Sequence, residues 1–135
     1  MSARIMVIED APEMLELFQE LLQDEGYEVF PYGHDIDDLS EIERISPDLI
    51  VLDYIMDGAI VGRPLLKRLK TATATASIPV IICTAASNAA QAALEADHLT
   101  SKVRLVAKPF DVEDLLTALQ QTLAVEDQTR DRDQS

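Results

Sequence analysis

The stretch LIVLDYIM, at residues 49–56, decides the fold class of this chain. Its first four residues are continuously apolar, which is typical of a strand covered on both faces of a parallel sheet. Asp53 follows them directly, so a carboxylate is expected at the carboxyl end of that strand. Partner strands, and helices that cover them, are therefore expected on either side of this stretch.

Four further short runs predict strands that pair with it. Helical patterns separate consecutive runs, because apolar residues recur there every three or four positions. The second run is more polar than the others and is predicted to lie at an edge of the sheet. Regular alternation of strands and helices predicts an α/β fold with a parallel sheet between two layers of helices. The predicted strands are Ile5–Ile8, Glu28–Phe30, Leu49–Leu52, Val80–Cys83 and Val103–Val106.

Start and stop signals predict five helices between and after these strands. Pro12 suits the first turn of the first helix, and Gly26 ends that helix. The segment TATATAS at residues 71–77 is a low-complexity connection between the third helix and the fourth strand. The helices are predicted to start at Pro12, near residue 36, near Pro64, after Ser87 as an N-cap, and at Asp111.

Length and composition fit one globular domain. The chain has 135 residues, of which 47% are hydrophobic, and we place the domain at residues 3–124 with a flexible polar tail at 125–135. No apolar run approaches the roughly 18 residues that a membrane span needs, and the N-terminus lacks a signal-peptide pattern. Cys83 is predicted to be a buried thiol in a reducing environment. We expect a cytoplasmic protein without a membrane partner.

The net charge of −14 is unevenly distributed. Residues 1–60 hold 16 Asp and Glu against Arg4 and Arg44, whereas residues 61–135 hold 9 acidic and 9 basic residues. This balance disfavours direct nucleic-acid binding, which needs a basic surface. Solubility explains most acidic residues of a surface, so only those at the strand ends require a further explanation.

Polar residues follow four of the five predicted strands. Glu9 and Asp10 follow the first strand, Asp53 the third, Thr84 the fourth and Lys108 the fifth. Each has an ordinary structural explanation, as a cap, a turn residue or a solvated side chain. Because ligands of parallel sheets bind outside the carboxyl ends of the strands, the five residues together indicate a site.

The combination has a chemical logic. Clustered carboxylates repel one another, and a hard cation such as Mg²⁺, held by oxygen atoms, removes that conflict. A carboxylate neutralised in this way can attack phosphorus if the charge of the transferred group is also stabilised. Lys108 supplies a compact positive charge for one phosphoryl oxygen, and Thr84 a hydrogen-bond donor for another.

The chain resembles the receiver domains of two-component response regulators, a CheY-like family. The matching segments are VIED (7–10), LIVLDYIM (49–56), IPVIICTA (78–85) and KPF (108–110), and the resemblance covers about residues 3–124. It implies a flavodoxin-like sheet in the order 2-1-3-4-5. It also implies that Asp53 accepts a phosphoryl group from a histidine kinase or a phosphotransfer protein.

The resemblance further implies a role for each site residue. Asp10 and Asp53 would bind Mg²⁺ directly, Glu9 would act through water, and Ile55 would offer its backbone carbonyl. Lys108 would contact the phosphoryl group, and Thr84 would move toward it after phosphorylation. Such a domain is not an enzyme with an external substrate. It catalyses its own phosphorylation and slow dephosphorylation, and it signals through a downstream protein target.

Three departures from the family pattern affect the function. The loop at residues 57–62 lacks the usual Pro after Met56. Leu105 replaces the Tyr or Phe that many receivers use as a switch. Ile55 and Ala86 have no polar side chain to orient a hydrolytic water, which favours slow loss of the phosphoryl group.

The alternatives to a phosphorylated receiver belong to other functional classes. A receiver-like interaction module that works without phosphorylation is favoured by the altered loop and by Leu105, and disfavoured by the retained acidic, hydroxyl and amino groups. A flavodoxin-type electron carrier would need a phosphate-binding loop where this chain has acidic residues. A P-loop NTPase would need the motif G-x-x-x-x-G-K-[ST], which is absent. An aspartyl-phosphate phosphatase would need Asp-x-Asp after the strand.

Overall fold

A computed structural model describes the backbone of residues 3–9, 11–32, 39–53, 63–84, 87–96, 102–107 and 112–134. Strands and helices alternate along these residues, as the sequence predicts. The strands are β1 (Arg4–Ile8), β2 (Glu28–Tyr32), β3 (Leu49–Asp53), β4 (Val80–Thr84) and β5 (Val103–Ala107). The helices are α1 (Pro12–Asp24), α2 (Leu39–Ile45), α3 (Arg63–Thr71), α4 (Ser87–Ala96) and α5 (Val112–Gln134).

The five strands form one parallel sheet in the order β2-β1-β3-β4-β5. This result confirms the predicted α/β class, the flavodoxin-like order and the edge position of β2. Pro31 lies exposed within β2. An edge strand tolerates proline, which donates no backbone hydrogen bond, because one side of the strand has no neighbour in the sheet.

Four strands extend beyond their predicted carboxyl ends, β2 by two residues and β3, β4 and β5 by one residue each. The β3 ladder continues through Asp53, which lies beside Cys83, and the β4 ladder continues through Thr84, which lies beside Ala107. The sequence pattern misses this step because both residues are polar, whereas the apolar run stops before them. Strand pairing, rather than the following loop, therefore fixes the backbone of Asp53 and Thr84.

One face of the sheet packs against α2, α3 and α4. Alternate strand residues such as Met6, Ile50 and Ile82 contribute to a single buried cluster there. The helices supply further buried residues of that face, which are Ile42, Ile45, Leu65, Leu66, Leu69, Ala90 and Leu94. The predicted start of the second helix, near residue 36, lies outside the described residues.

The other face packs against α1 and α5, where a second buried cluster contains Phe18 and Leu22 of α1. Leu115 and Leu119 of α5 also belong to it. At the end of α1, Gly26 adopts a φ of +90°, and the Tyr27 N–H donates to the Leu22 carbonyl at 3.1 Å. Such a backbone conformation favours glycine and turns the chain into β2, as the sequence predicts.

The connection between α3 and β4 is held by side chains of its own segment. Thr75 is fully buried, and its hydroxyl donates to the Leu69 carbonyl at 2.7 Å. The Lys70 ammonium donates to the Ile78 carbonyl at 2.9 Å. The predicted low-complexity connection at residues 71–77 is therefore a hydrogen-bonded turn, which a repetitive composition does not reveal.

The last helix is longer than the sequence predicts. α5 continues to Gln134, past the predicted domain boundary at residue 124. Residues 125–134 thus have helical backbone where the sequence pattern indicates a tail. The lack of large apolar residues removes the periodic signal of a helix, but it does not prevent the backbone from forming helical hydrogen bonds. The flexibility of this stretch stays a prediction. Among the described residues, no helix has the length and apolar character required to cross a bilayer.

Two leucines of α1 test how this helix contributes to stability. Leu22 is fully buried, whereas 44% of Leu17 is exposed. We expect Leu22→Ala to lower the free energy of unfolding by about 2–5 kcal/mol, because it removes buried apolar surface and leaves a cavity. Leu17→Ala should change it by less than about 0.5 kcal/mol. Urea denaturation followed by circular dichroism measures both, and equal losses would contradict the packing of α1 through Leu22.

Candidate functional site

The carboxyl ends of four strands define the candidate site. Ile8 of β1 lies beside Leu52 of β3, so the next residue of each chain segment, Glu9 and Asp53, follows at the same level of the sheet. Asp53 in turn lies beside Cys83. Neighbouring strands are about 4.8 Å apart, so the backbone positions of these acidic residues lie close together.

Glu9 is held at this edge by hydrogen bonds on two sides. Only 3% of the residue is exposed. Its N–H donates to the Tyr32 carbonyl at 3.0 Å, which extends the β1–β2 pairing beyond the end of β1. Its Oε1 accepts a hydrogen bond from the Ala11 N–H at 3.2 Å. Ala11 is the N-cap of α1 and has no side-chain acceptor of its own, so the Glu9 carboxylate interacts with the start of that helix.

Thr84 is fully buried at the end of β4. It lies beside Ala107, the last residue of β5. The next residue in the chain is Lys108, whose amine is predicted to belong to the site. Thr84 is thus at the same edge of the sheet as Glu9 and the Asp53 backbone. Leu105 is half-buried and packs against the core cluster on the α4 side of the sheet, in the position where many receivers have an aromatic residue.

Several predicted site residues lie outside the described residues: Asp10, Ile55, Lys108 and the side chain of Asp53. Within the described part of the chain, no group of three acidic, histidine or cysteine side chains forms a metal site. The donor set nevertheless fits Mg²⁺ chemically, because Mg²⁺ prefers oxygen ligands. The buried carboxylate of Glu9 precedes Asp10 in the chain and lies level with the backbone of Asp53 in the sheet. The individual roles of these residues stay predictions.

A hydrogen-bonded group that the sequence analysis missed lies next to this edge. The Tyr32 hydroxyl donates to Glu41 Oε1 at 2.9 Å, and the Arg44 guanidinium forms an ion pair with the same carboxylate oxygen. Burial, followed by the hydrogen bond to Glu41, raises the pKa of Tyr32 above its usual value. The available sequence signal was the spacing of Glu41 and Arg44, three positions apart on a helix.

The sequence comparisons find a matching family model and relatives that align over most of this chain. A family model of the response regulator receiver domain matches residues 5–120. Sporulation initiation phosphotransferase F of Bacillus subtilis is 30% identical over 125 residues, which cover 91% of this chain and 95% of that protein. Protein PilH of Pseudomonas aeruginosa is 27% identical over 126 residues, which cover 90% of this chain and 98% of that protein.

Solved structures share the fold. Chemotaxis response regulator CheY4 of Vibrio cholerae has a TM-score of 0.75 at 22% identity, covering 90% of this chain and 99% of that one. NtrX of Brucella abortus has a TM-score of 0.80 at 24% identity, covering 99% of this chain and 29% of that one. These likenesses confirm the sheet topology, and the family model spans most of the chain. The chain therefore belongs to the response regulator receiver family.

Proposed function

We propose that this chain is a stand-alone receiver that accepts a phosphoryl group on Asp53 in a Mg²⁺-dependent reaction. The observation that carries the proposal is the register of the sheet. It brings the backbone of Asp53 level with the buried Glu9 and next to the strand that ends at the buried Thr84. Asp53 with its carboxylate, the buried Glu9 and Thr84 with its hydroxyl are therefore all residues of one edge of the sheet.

The proposed transfer is a substitution at phosphorus. An oxygen of the Asp53 carboxylate forms the new bond, and the bond from phosphorus to the donor's histidine nitrogen breaks, leaving its electron pair on that nitrogen. Lys108 would balance the charge of one phosphoryl oxygen, and Thr84 would donate a hydrogen bond to another. When bound, Mg²⁺ neutralises carboxylate charge and orients the phosphoryl oxygens. Asp10 and Asp53 would hold it directly, Glu9 through water, and Ile55 through its carbonyl.

The relatives support the proposed role in signalling. The Bacillus relative is named a phosphotransferase, and this chain covers nearly its full length. We infer that a histidine kinase or a phosphotransfer protein in the cytoplasm is the phosphoryl donor, and that the output is contact with a downstream protein. The partner surface would be formed by α4, β5 and α5, by analogy with the family.

Phosphorylation by a small donor tests the acceptor. We expect acetyl phosphate and Mg²⁺ to add one phosphoryl group to the full chain, as measured by intact mass spectrometry. Labelling should disappear without Mg²⁺ and in Asp53→Asn, which removes the nucleophile. Asp48→Asn is the matched control, because it makes the same change at the opposite end of β3 and keeps an oxygen acceptor for the Arg4 N–H. It should label like the wild type.

The result separates two functional classes. Labelling that depends on Mg²⁺ and on Asp53 supports a phospho-acceptor. A folded chain that takes up no phosphoryl group under these conditions would instead favour the interaction module that works without phosphorylation. Labelling that persists in Asp53→Asn would show that another residue is the acceptor.

The lifetime of the phosphorylated chain is a second expected property. Ile55 and Ala86, which lie outside the described residues, have no polar side chain to orient an attacking water. We expect slow loss of the phosphoryl group without a phosphatase, and faster loss in Ile55→Asn. Leu17→Asn, an equivalent change at an exposed position of α1, should leave the lifetime unchanged. Rapid wild-type decay that Ile55→Asn does not alter would contradict this explanation.

A further inference from the structure

Tyr32 connects two parts of the molecule through two different groups. Its side-chain hydroxyl donates to Glu41 in the first turn of α2 at 2.9 Å. Its backbone carbonyl accepts the Glu9 N–H at 3.0 Å. One residue therefore links α2 to the backbone of the buried acidic residue at the candidate site.

The position of Tyr32 in the sheet makes this link important. Tyr32 is the last residue of β2, which lies at the edge of the sheet, and its strand partner is Ile8 of β1. The end of an edge strand has a neighbouring strand on one side only, so such ends open more easily than central strands. The ring of Tyr32 packs against the core cluster beneath α2, and the hydroxyl fixes that ring to the helix.

The acceptor of this hydrogen bond is itself held in place. Arg44 pairs with the same Oε1 of Glu41 that accepts the Tyr32 hydroxyl. The hydrogen bond to Glu41 raises the pKa of the Arg44 guanidinium. A charged acceptor also strengthens the hydrogen bond from tyrosine. The three side chains thus form a continuous connection from α2 to the end of β2.

We propose that Tyr32 and Glu41 are positioning residues for Glu9, and that through Glu9 they set the Mg²⁺ affinity of the acidic edge. The part that concerns Mg²⁺ rests on the proposed function, whereas the part that concerns the Glu9 backbone does not. The effect is indirect: the Tyr32 hydroxyl secures the end of β2, and its carbonyl secures the Glu9 N–H. Outer partners of metal ligands commonly contribute to metal affinity, and Tyr32 would act as such a partner through Glu9 and its water.

Amide hydrogen exchange in Tyr32→Phe tests the backbone part without a metal. The variant keeps the ring and loses only the hydroxyl. We expect the Glu9 amide to exchange about fivefold to thirtyfold faster, as when a local opening loses one hydrogen bond. The Ile50 amide, which donates to the Pro79 carbonyl in the sheet interior at 3.0 Å, reports global unfolding. Glu9 exchange that stays faster than Ile50 exchange identifies a local opening at the end of β2.

Tyr27→Phe is the matched control. Tyr27 is half-buried just before β2, at the end of the strand away from the candidate site. Removing its hydroxyl makes the same chemical change, and we expect Glu9 exchange at the wild-type rate. Glu41→Gln keeps an oxygen acceptor for Tyr32 and should retain most of the protection, whereas Glu41→Ala should resemble Tyr32→Phe.

Calorimetric titration with MgCl₂ tests the metal part. We expect Tyr32→Phe to weaken Mg²⁺ binding by about tenfold, at the lower end of the effect of outer partners of metal ligands, and Tyr27→Phe to leave it unchanged. Equal Glu9 exchange in Tyr32→Phe and Tyr27→Phe would overturn the positioning role. Selective loss of Glu9 protection with unchanged Mg²⁺ affinity would overturn the coupling to the metal. Absence of Mg²⁺ binding in the wild type would overturn the proposed function itself.

Discussion

The hydrogen-bonded register between β1 and β3 is the constraint on which the candidate site depends. Side chains alternate between the faces of a sheet, so a shift of one residue would move every buried residue of a strand to the opposite face. The two core clusters forbid such a shift, because Ile5 and Val7 are fully buried against α1 and α5, whereas Met6 and Ile8 are fully buried on the other face. Hydrophobic packing thereby favours the strand register in which Glu9 and Asp53 lie at the same level of the sheet.

The few basic residues within the acidic segment 1–60 make contacts near one edge of this sheet. Arg4 and Arg44 are the two basic residues among residues 1–60. The Arg4 side chain donates to the Ile45 carbonyl at 2.7 Å and pairs with Glu28 at 3.6 Å, so it joins the start of β1 to the end of α2 and to β2. Arg44 pairs with Glu41 near the other end of α2. Both arginines thus interact with residues at the edge of the molecule formed by β2 and α2.

The fold was largely predictable because the sequence signals are local and repeated. Five apolar runs and five helical stripes specify the layers, and the polar β2 specifies one edge. The end of β3 at Asp53 was not predictable in the same way, because the ladder continues through a polar residue that no apolar pattern marks. The length of α5 was missed for the same reason, since residues 125–134 carry no apolar stripe.

The position of the candidate site at one edge of the sheet was predictable from the sequence, but the contacts that support this edge were not. Polar residues at the ends of parallel strands indicate a common edge, and the structure brings Glu9, Thr84 and the Asp53 backbone to that edge. The connection through Tyr32 escaped sequence reasoning because it joins a strand end to a helix turn across a gap in sequence, with no periodic spacing. Such contacts depend on the crossover angle of α2, which sequence patterns do not specify.

Burial distinguishes Glu9 from the other acidic residues. An exposed carboxylate improves solubility at little cost, whereas removal of a charged group from water is unfavourable unless polar partners replace the water. Among the described side chains, Glu9 is the one carboxylate that is buried. The Ala11 N–H and the start of α1 offset part of that cost. An apolar residue would avoid the cost of burying a charge but would leave the Ala11 N–H without the Glu9 acceptor, so this hydrogen bond is one reason for a glutamate there. The proposed attraction of a cation to the acidic edge would be a second reason for its charge.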